Sequence, residues 1–306
     1  MSRVSRPCVY LVWLEWPEKC FRVDAEALRT LKGLVPKGSR VVRVRGESAF
    51  LRALPKAPHA NVWNFKEEWF AQAPRRRVLA TPAAGQEFVP TKGPKGVRIH
   101  FGHFHGAIMS ESVAAFVLAW ARGFFRPELK KGAWPRTALS DKLYGVAGTK
   151  AVVVGYGHVG RAIGAKLSSQ GVEVTGVTRS TSASVFHTSV RKADWLVLAL
   201  PSTTGTDDFL SASLIRRLPR RCVVINVGRG NAVDEKALYK AHKTKRLAGA
   251  YLDVRKHEPS ATVLESPGYV PALAGLPNCV VMPHAAAFSD RYVLSCFKEL
   301  KDDGCL

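Results

Sequence analysis

The chain is expected to fold as an α/β protein carrying a doubly wound parallel sheet, and three observations predict it. A short, continuously apolar run at 151–154 feeds directly into the glycine turn GYGHVG. That turn leads into RAIGAKLSSQ, whose apolar Ile163 and Leu167 recur at helical spacing. Further apolar runs of strand length stand at 195–200, 222–227, 247–252 and 279–282, and helices fit between several of them, as at 234–243. The first hundred residues repeat the same alternation on a smaller scale.

Residues 10–13, 41–44 and 60–63 read as strands, and 24–32 as a helix with Asp24 as its N-cap. The segment from Pro74 runs through a strand into a turn of small residues at 82–86. Consecutive backbone N–H groups in such a turn can form a nest for a carboxylate, although from these residues alone an ordinary loop is the simpler reading. Five glycines and prolines, Gly93, Pro94, Gly96, Gly102 and Gly106, place a domain crossing at 91–106, so the first domain is expected to cover 1–106 and the second 107–284. His100, His103 and His105 fall in that crossing. No carboxylate or cysteine stands near them in sequence and their spacing matches no standard site, so they are expected to be partly exposed linker histidines with no metal. Residues 111–125 form a helix capped by Ser110 or Ser112. It is apolar nearly all round, which calls for cover on more than one side, between domains or in a homodimer. Residues 289–303 suit a final helix capped by Ser289.

Gly155, Gly157 and Gly160 form G-x-G-x-x-G between a strand and a helix. The first glycine serves a tight turn, the second lets backbone approach a pyrophosphate, and the third lets helix pack closely on strand. The helix N-terminus at His158 and Val159 offers free N–H groups and the positive end of its dipole. A dinucleotide site is therefore predicted. In such sites a carboxylate about 20 residues on binds the NAD ribose. Here the next strand, 172–177, ends instead in Thr178, Arg179 and Ser180. A guanidinium pairs with a 2′-phosphate that a carboxylate would repel, so NADP(H) is expected to be preferred, with NAD(H) also possible.

The 306 residues carry 46 Lys and Arg against 24 Asp and Glu, a net charge of +22, and 46% hydrophobic content. That apolar content suffices for packed cores, while no run approaches the ~18 apolar residues of a membrane span. The basic clusters, at 75–77, 130–131, 216–221 and 240–246, are scattered and lack interleaved aromatics. They read as solvated faces that draw in anionic ligands, and nucleic acid is not expected beyond nonspecific charge attraction. Six dispersed cysteines without a C-x-x-C pair point to reduced thiols and a cytoplasmic location, and the ending GCL assigns no organelle.

Three clusters follow strands at the carboxyl ends where open α/β sheets bind ligands: Asn226-Val227-Gly228-Arg229-Gly230, Leu252-Asp253 with His257-Glu258-Pro259, and Pro283-His284. With GYGHVG and LPSTTGT these stand in the order of the D-isomer-specific 2-hydroxyacid dehydrogenases, which the chain resembles from about residue 80 to residue 287. Arg179-Ser180 is similar to the NADPH-dependent glyoxylate and hydroxypyruvate reductases of that family.

The resemblance implies two Rossmann-like domains, the smaller one flavodoxin-like and substrate-binding, with 285–306 returning to it. It puts the catalytic arginine, glutamate and histidine on Arg229, Glu258 and His284, and the carboxylate-binding turn on Ala84 and Gly85. It has Val227, Gly228, Pro201 and Thr206 line the cofactor, and Asp253 face the nicotinamide carboxamide or hold the site's backbone. The implied activity is NADPH-dependent reduction of a small 2-keto acid. Chemistry supports the carry-over: Arg229 has a planar fork that keeps its proton, His284 donates a proton near neutral pH, and Glu258 would favour the imidazolium. The chain departs from the family at Ala115, where relatives carry a glutamate, at Ala287, where a glycine is usual, and in a longer loop after Glu258. A second reading stays open, a nucleotide-sensing interaction protein like the C-terminal-binding-protein corepressors, which resemble the same family.

Overall fold

Alternate residues of the strands in the second half of the chain point into two separate cores, as a parallel sheet covered by helices on both faces requires. Val152, Val154, Leu196, Leu198, Val224 and Leu252 belong to one apolar cluster. Their strand neighbours Val153, Trp195, Val197, Val223, Ile225 and Tyr251 belong to the other. The computed structural model describes residues 7–75, 77–129, 134–258 and 272–306, in two compact units, Met1–His105 with Phe288–Leu306, and Gly106–Ala287. Arg76 and the basic pair at 130–131, Pro259, and the part of the long loop up to residue 271 lie outside the described residues.

The first unit holds β1 (Val9–Trp13), β2 (Arg40–Arg43), β3 (His59–Val62), β4 (Val78–Thr81) and β5 (Arg98–Phe101), all parallel, in the order β2-β1-β3-β4-β5. Helix α1 (Ala25–Leu34) starts as expected, with Asp24 accepting from the Ala27 N–H at 2.7 Å. A short α2 (Glu47–Ala53) follows β2. The core gathers Leu11, Phe50, Val62, Phe65, Trp69 and Leu79.

Three expectations are corrected here. Helix α3 (His105–Ala121) begins six residues before residue 111 and ends before 125. Ser110 and Ser112 therefore cap nothing: Ser110 bonds back to the Ala107 carbonyl, and Ser112 donates to the Ala286 carbonyl at 3.0 Å. At the other end of the chain Ser289 is not the N-cap of the last helix. Its hydroxyl accepts from the Arg291 N–H in a turn that precedes the helix Tyr292–Asp302. Of the three histidines only His103, between β5 and α3, is partly exposed as expected; the other two are not linker residues. His100 and His105 are 7% and 5% exposed, and both bond to the last helix, His100 to Glu299 at 2.9 Å and His105 to the Tyr292 hydroxyl at 2.8 Å. Local spacing hides this arrangement, because Glu299 lies 199 residues beyond His100.

In the second unit, after a short α4 (Arg136–Leu139), come β6 (Lys150–Val154), α5 (His158–Ser168), β7 (Glu173–Val177), α6 (Ala183–Val190), β8 (Trp195–Leu198) and α7 (Ala212–Ile215). Then follow β9 (Val223–Asn226), α8 (Glu235–Lys243), β10 (Gly249–Leu252) and β11 (Cys279–Val281); the final helix, which belongs to the first unit, is α9 (Tyr292–Asp302). The six strands are parallel, in the order β11-β10-β9-β8-β6-β7. Both sheets are thus parallel, and the fold is α/β as expected. The chain winds outward from β6 to β7, then crosses to β8 on the other side. That reversal opens a crevice at the carboxyl ends of β6 and β8. All six cysteines are free. Among the described residues no helix is long and apolar enough to cross a membrane.

Candidate active site

The turn after β6 tests each glycine of the motif separately. Gly155 has φ +88°, and a Cβ there would meet the Ala199 carbonyl oxygen at 2.4 Å. At Gly160, on the first turn of α5, a Cβ would meet the Gly155 carbonyl oxygen at 2.3 Å, so helix and turn touch through backbone. Gly157 faces open space, with nothing within 4 Å of a Cβ position. Two glycines are thus spent on the fold, and the third leaves room for a ligand beside the N-terminus of α5, where His158 is exposed and Val159 half-buried.

Beside this turn lies a cleft of about 480 Å³, lined among others by Gly155, Thr178, Arg179, Pro201, Thr206 and Phe209. Thr178, Arg179 and Ser180 are exposed at the end of β7, and the Thr178 hydroxyl pairs with that of Ser180 at 2.9 Å. Thr206 holds the segment after β8 by donating to the Pro201 carbonyl at 2.8 Å. The dinucleotide residues expected on the glycine turn, after β7 and after β8 therefore converge on one side of the sheet. Ala84 and Gly85 sit apart from this group in sequence, in the turn after β4 of the first unit. That turn packs against Gly102, where a Cβ would meet the Pro82 carbonyl oxygen at 2.4 Å.

The three candidate catalytic residues follow β9, β10 and β11. The fully buried Asn226 folds the chain back after β9: its amide donates to the Arg229 carbonyl at 3.1 Å, and its oxygen accepts from the Gly228 N–H at 3.2 Å. Val227 is buried beneath the turn, and Gly228 lies against Leu200, where a Cβ would meet backbone nitrogen at 2.5 Å. At Gly230 a Cβ would stand 1.8 Å from the Arg255 carbonyl oxygen, so the arginine turn rests directly on the loop after β10. That loop brings Glu258 to His284, with Oε2 2.9 Å from Nδ1 and Oε1 accepting from the Arg255 N–H at 3.2 Å.

His284 occupies a left-handed conformation, φ +55°, which a non-glycine residue adopts only when its surroundings hold it there. The holder is Asp253, 1% exposed: its carbonyl accepts from the His284 N–H at 2.8 Å, and its Oδ1 accepts from the N–H groups of Ala285 and Ala286 at 2.8 and 2.9 Å.

Residues 114–286 match the family described as D-isomer specific 2-hydroxyacid dehydrogenase, NAD binding domain. The chain belongs to this family. It is 30% identical to a glyoxylate reductase of Korarchaeum cryptofilum over 243 residues, 72% of this chain and 70% of that protein. It is 26% identical to a glycerate dehydrogenase of Methylorubrum extorquens over 226 residues, 70% of each chain. Among solved structures, the NADPH-dependent glyoxylate/hydroxypyruvate reductase of Sinorhizobium meliloti, in complex with NADP and sulfate, superposes with a TM-score of 0.69 at 24% identity. The superposition covers 97% of this chain and 96% of that one.

A nicotinamide cofactor fits this chain at the glycine turn: Gly157 is open where Gly155 and Gly160 are filled, and the neighbouring cleft runs from Gly155 to Arg179. The electrostatics of the Glu258–His284 pair run as the sequence implies. The Glu258 hydrogen bond lifts the His284 pKa above its ordinary value, outweighing burial. Burial pushes the Glu258 carboxyl up, but the hydrogen bond and charge of His284 prevail and hold it below the usual range. Burial also raises the Asp253 carboxyl. The arrangement can keep a proton on an imidazole beside a fixed guanidinium. Sequence reasoning missed Asn226 as the brace of the arginine turn. The signal was a polar residue ending a strand otherwise apolar throughout, VVIN, where an unpaired amide would be costly.

Proposed function

We propose that the chain reduces a small 2-keto acid of the glyoxylate or hydroxypyruvate type to the D-2-hydroxy acid with NADPH. The observation that carries this reading is the 2.9 Å contact of His284 with Glu258, whose loop is seated against the Arg229 turn. Family membership and the reductase activities named for its relatives support it. When bound, NADPH supplies the hydride to the keto carbon. His284 gives its proton to the keto oxygen as negative charge develops there, and Glu258 keeps the imidazole charged until that moment. Arg229 holds the substrate carboxylate and keto oxygen with its fork. Asp253 and Asn226 fix the backbone that presents the two side chains. The test is NADPH oxidation followed by absorbance with glyoxylate, hydroxypyruvate and pyruvate in turn, beside an Arg229→Ala control. Turnover lost in the control supports the reading. Absence of turnover with all three acids, while NADPH binds tightly, overturns it in favour of a nucleotide sensor.

The NADPH preference rests on Arg179, exposed in the cleft with Thr178 and Ser180. Arg179→Ala is expected to raise the KM for NADPH by about 10- to 100-fold, the loss of one charge-assisted hydrogen-bonding group, and to leave the KM for NADH nearly unchanged. Equal KM values for the two cofactors in the unmodified enzyme refute the preference.

A homodimer is proposed through the face at the end of α3, where Leu118, Phe124, Phe125, Leu129 and Trp134 are exposed, Trp134 at 91%. Sedimentation at micromolar concentration is expected to give twice the chain mass, and a monomer there removes the proposal.

A further inference from the structure

We infer that His100, Glu299 and Asp303 form a binding site for a divalent transition-metal ion, Zn²⁺ in the first instance, that fastens the end of α9 to the edge strand β5. Each residue offers one ligand atom, and these atoms lie within 4.8 Å of one another. Ligands about 2.0–2.1 Å from a tetrahedral Zn²⁺ stand about 3.3 Å apart, so small side-chain rotations close the set. Glu299 and Asp303 are one helical turn apart and flank one imidazole, Glu299 Oε1 at 2.9 Å from Nε2 and Asp303 Oδ2 at 3.7 Å from Nδ1; an ion takes one of these nitrogens, and the carboxylate at the other turns toward it.

Glu299 is a buried carboxylate, 8% exposed, in a chain with 46 Lys and Arg. Among the described residues the salt-bridge partners of Glu299 and Asp303 are nonetheless imidazoles only, His100 and His103. An imidazole, unlike Lys or Arg, can yield its proton and bind an ion through nitrogen. His103 supports the set from its outer side: its N–H donates to both Glu299 oxygens at 3.1 Å, and its ring reaches Asp303 Oδ2 at 3.2 Å. Such outer hydrogen bonds orient carboxylate ligands. With Asp303 and His103 about a third exposed, an ion has a path in from solvent. A nitrogen ligand among the three favours Zn²⁺ and its neighbours over Mg²⁺ or Ca²⁺.

The test is calorimetric titration of the chelator-treated full chain with ZnCl₂, repeated on Asp303→Asn and His100→Gln, with Co²⁺ as a spectroscopic probe. One equivalent is expected to bind the unmodified chain and raise its Tm, and Co²⁺ to give visible bands of low-symmetry coordination. Each variant is expected to weaken binding at least about 10- to 100-fold and to lose the bands. Should His100→Gln not fold, Asp303→Asn decides, since its carboxylate is partly solvated. No binding by the unmodified chain, or equal binding by Asp303→Asn, overturns the site.

Discussion

His284→Asn is expected to lower the turnover of a 2-keto acid by about 10²- to 10⁴-fold, the range of a lost general acid, while the affinity for the nicotinamide cofactor stays close to that of the unmodified chain. The separation follows from geometry. His284 follows β11, whereas the glycine turn and Arg179 follow β6 and β7. Asparagine also tolerates the left-handed φ of +55° better than most residues, so the turn on Asp253 survives. Glu258→Gln gives the companion result. The Glu258 hydrogen bond raises the His284 pKa, so reduction, which needs the proton on His284, is sustained at low pH and falls as pH rises through that raised value. Without the carboxylate the pKa drops, and the alkaline limb of the kcat profile moves to lower pH. A profile unmoved in Glu258→Gln, or His284→Asn retaining full turnover, removes His284 from the proton-donor role.

Arg229→Ala is expected to lower kcat/KM by about 10²- to 10³-fold, the effect of removing a fixed donor to developing negative charge. Arg229→Lys does not restore it, because an ammonium cannot present two parallel N–H groups to a carboxylate and keto oxygen together. The side chain is half-buried and its Nη1 bonds the Gly228 carbonyl at 3.1 Å, so the substitution leaves the sheet intact. An unchanged Tm beside the kinetic loss separates this result from unfolding. A lysine variant as active as the unmodified enzyme contradicts the two-point clamp.

The glycine turn was legible because its signature is local: the positive φ of Gly155 and the contact of Gly160 with the Gly155 carbonyl fall within six residues, while Gly157 stays open. Strand alternation was legible for the same reason, although strands end one or two residues early where chain direction turns. What escaped notice depends on partners far along the chain. The histidines at 100 and 105 looked like linker residues until α9 supplied Glu299 and Tyr292. Asn226 differs: its partners Gly228 and Arg229 are near in sequence, and the polar end of VVIN marks a buried amide without saying what it bonds, while Ser289 has capping chemistry but stands too far ahead of Tyr292 to use it. The pairing of Glu258 with His284 came from family resemblance, since 26 residues separate the two side chains in sequence.

The contact at Gly230 carries a dynamic consequence. Because this glycine leaves no gap beneath Arg255, the loop that carries Arg229 and the loop that carries Glu258 touch through backbone, and His284, on the loop after β11, joins them through its 2.9 Å contact with Glu258. Loops joined in this way are expected to shift together, so that the spacing of the three side chains is kept when they move. The entropy of arranging them is thus settled during folding, once, instead of being charged to every catalytic cycle.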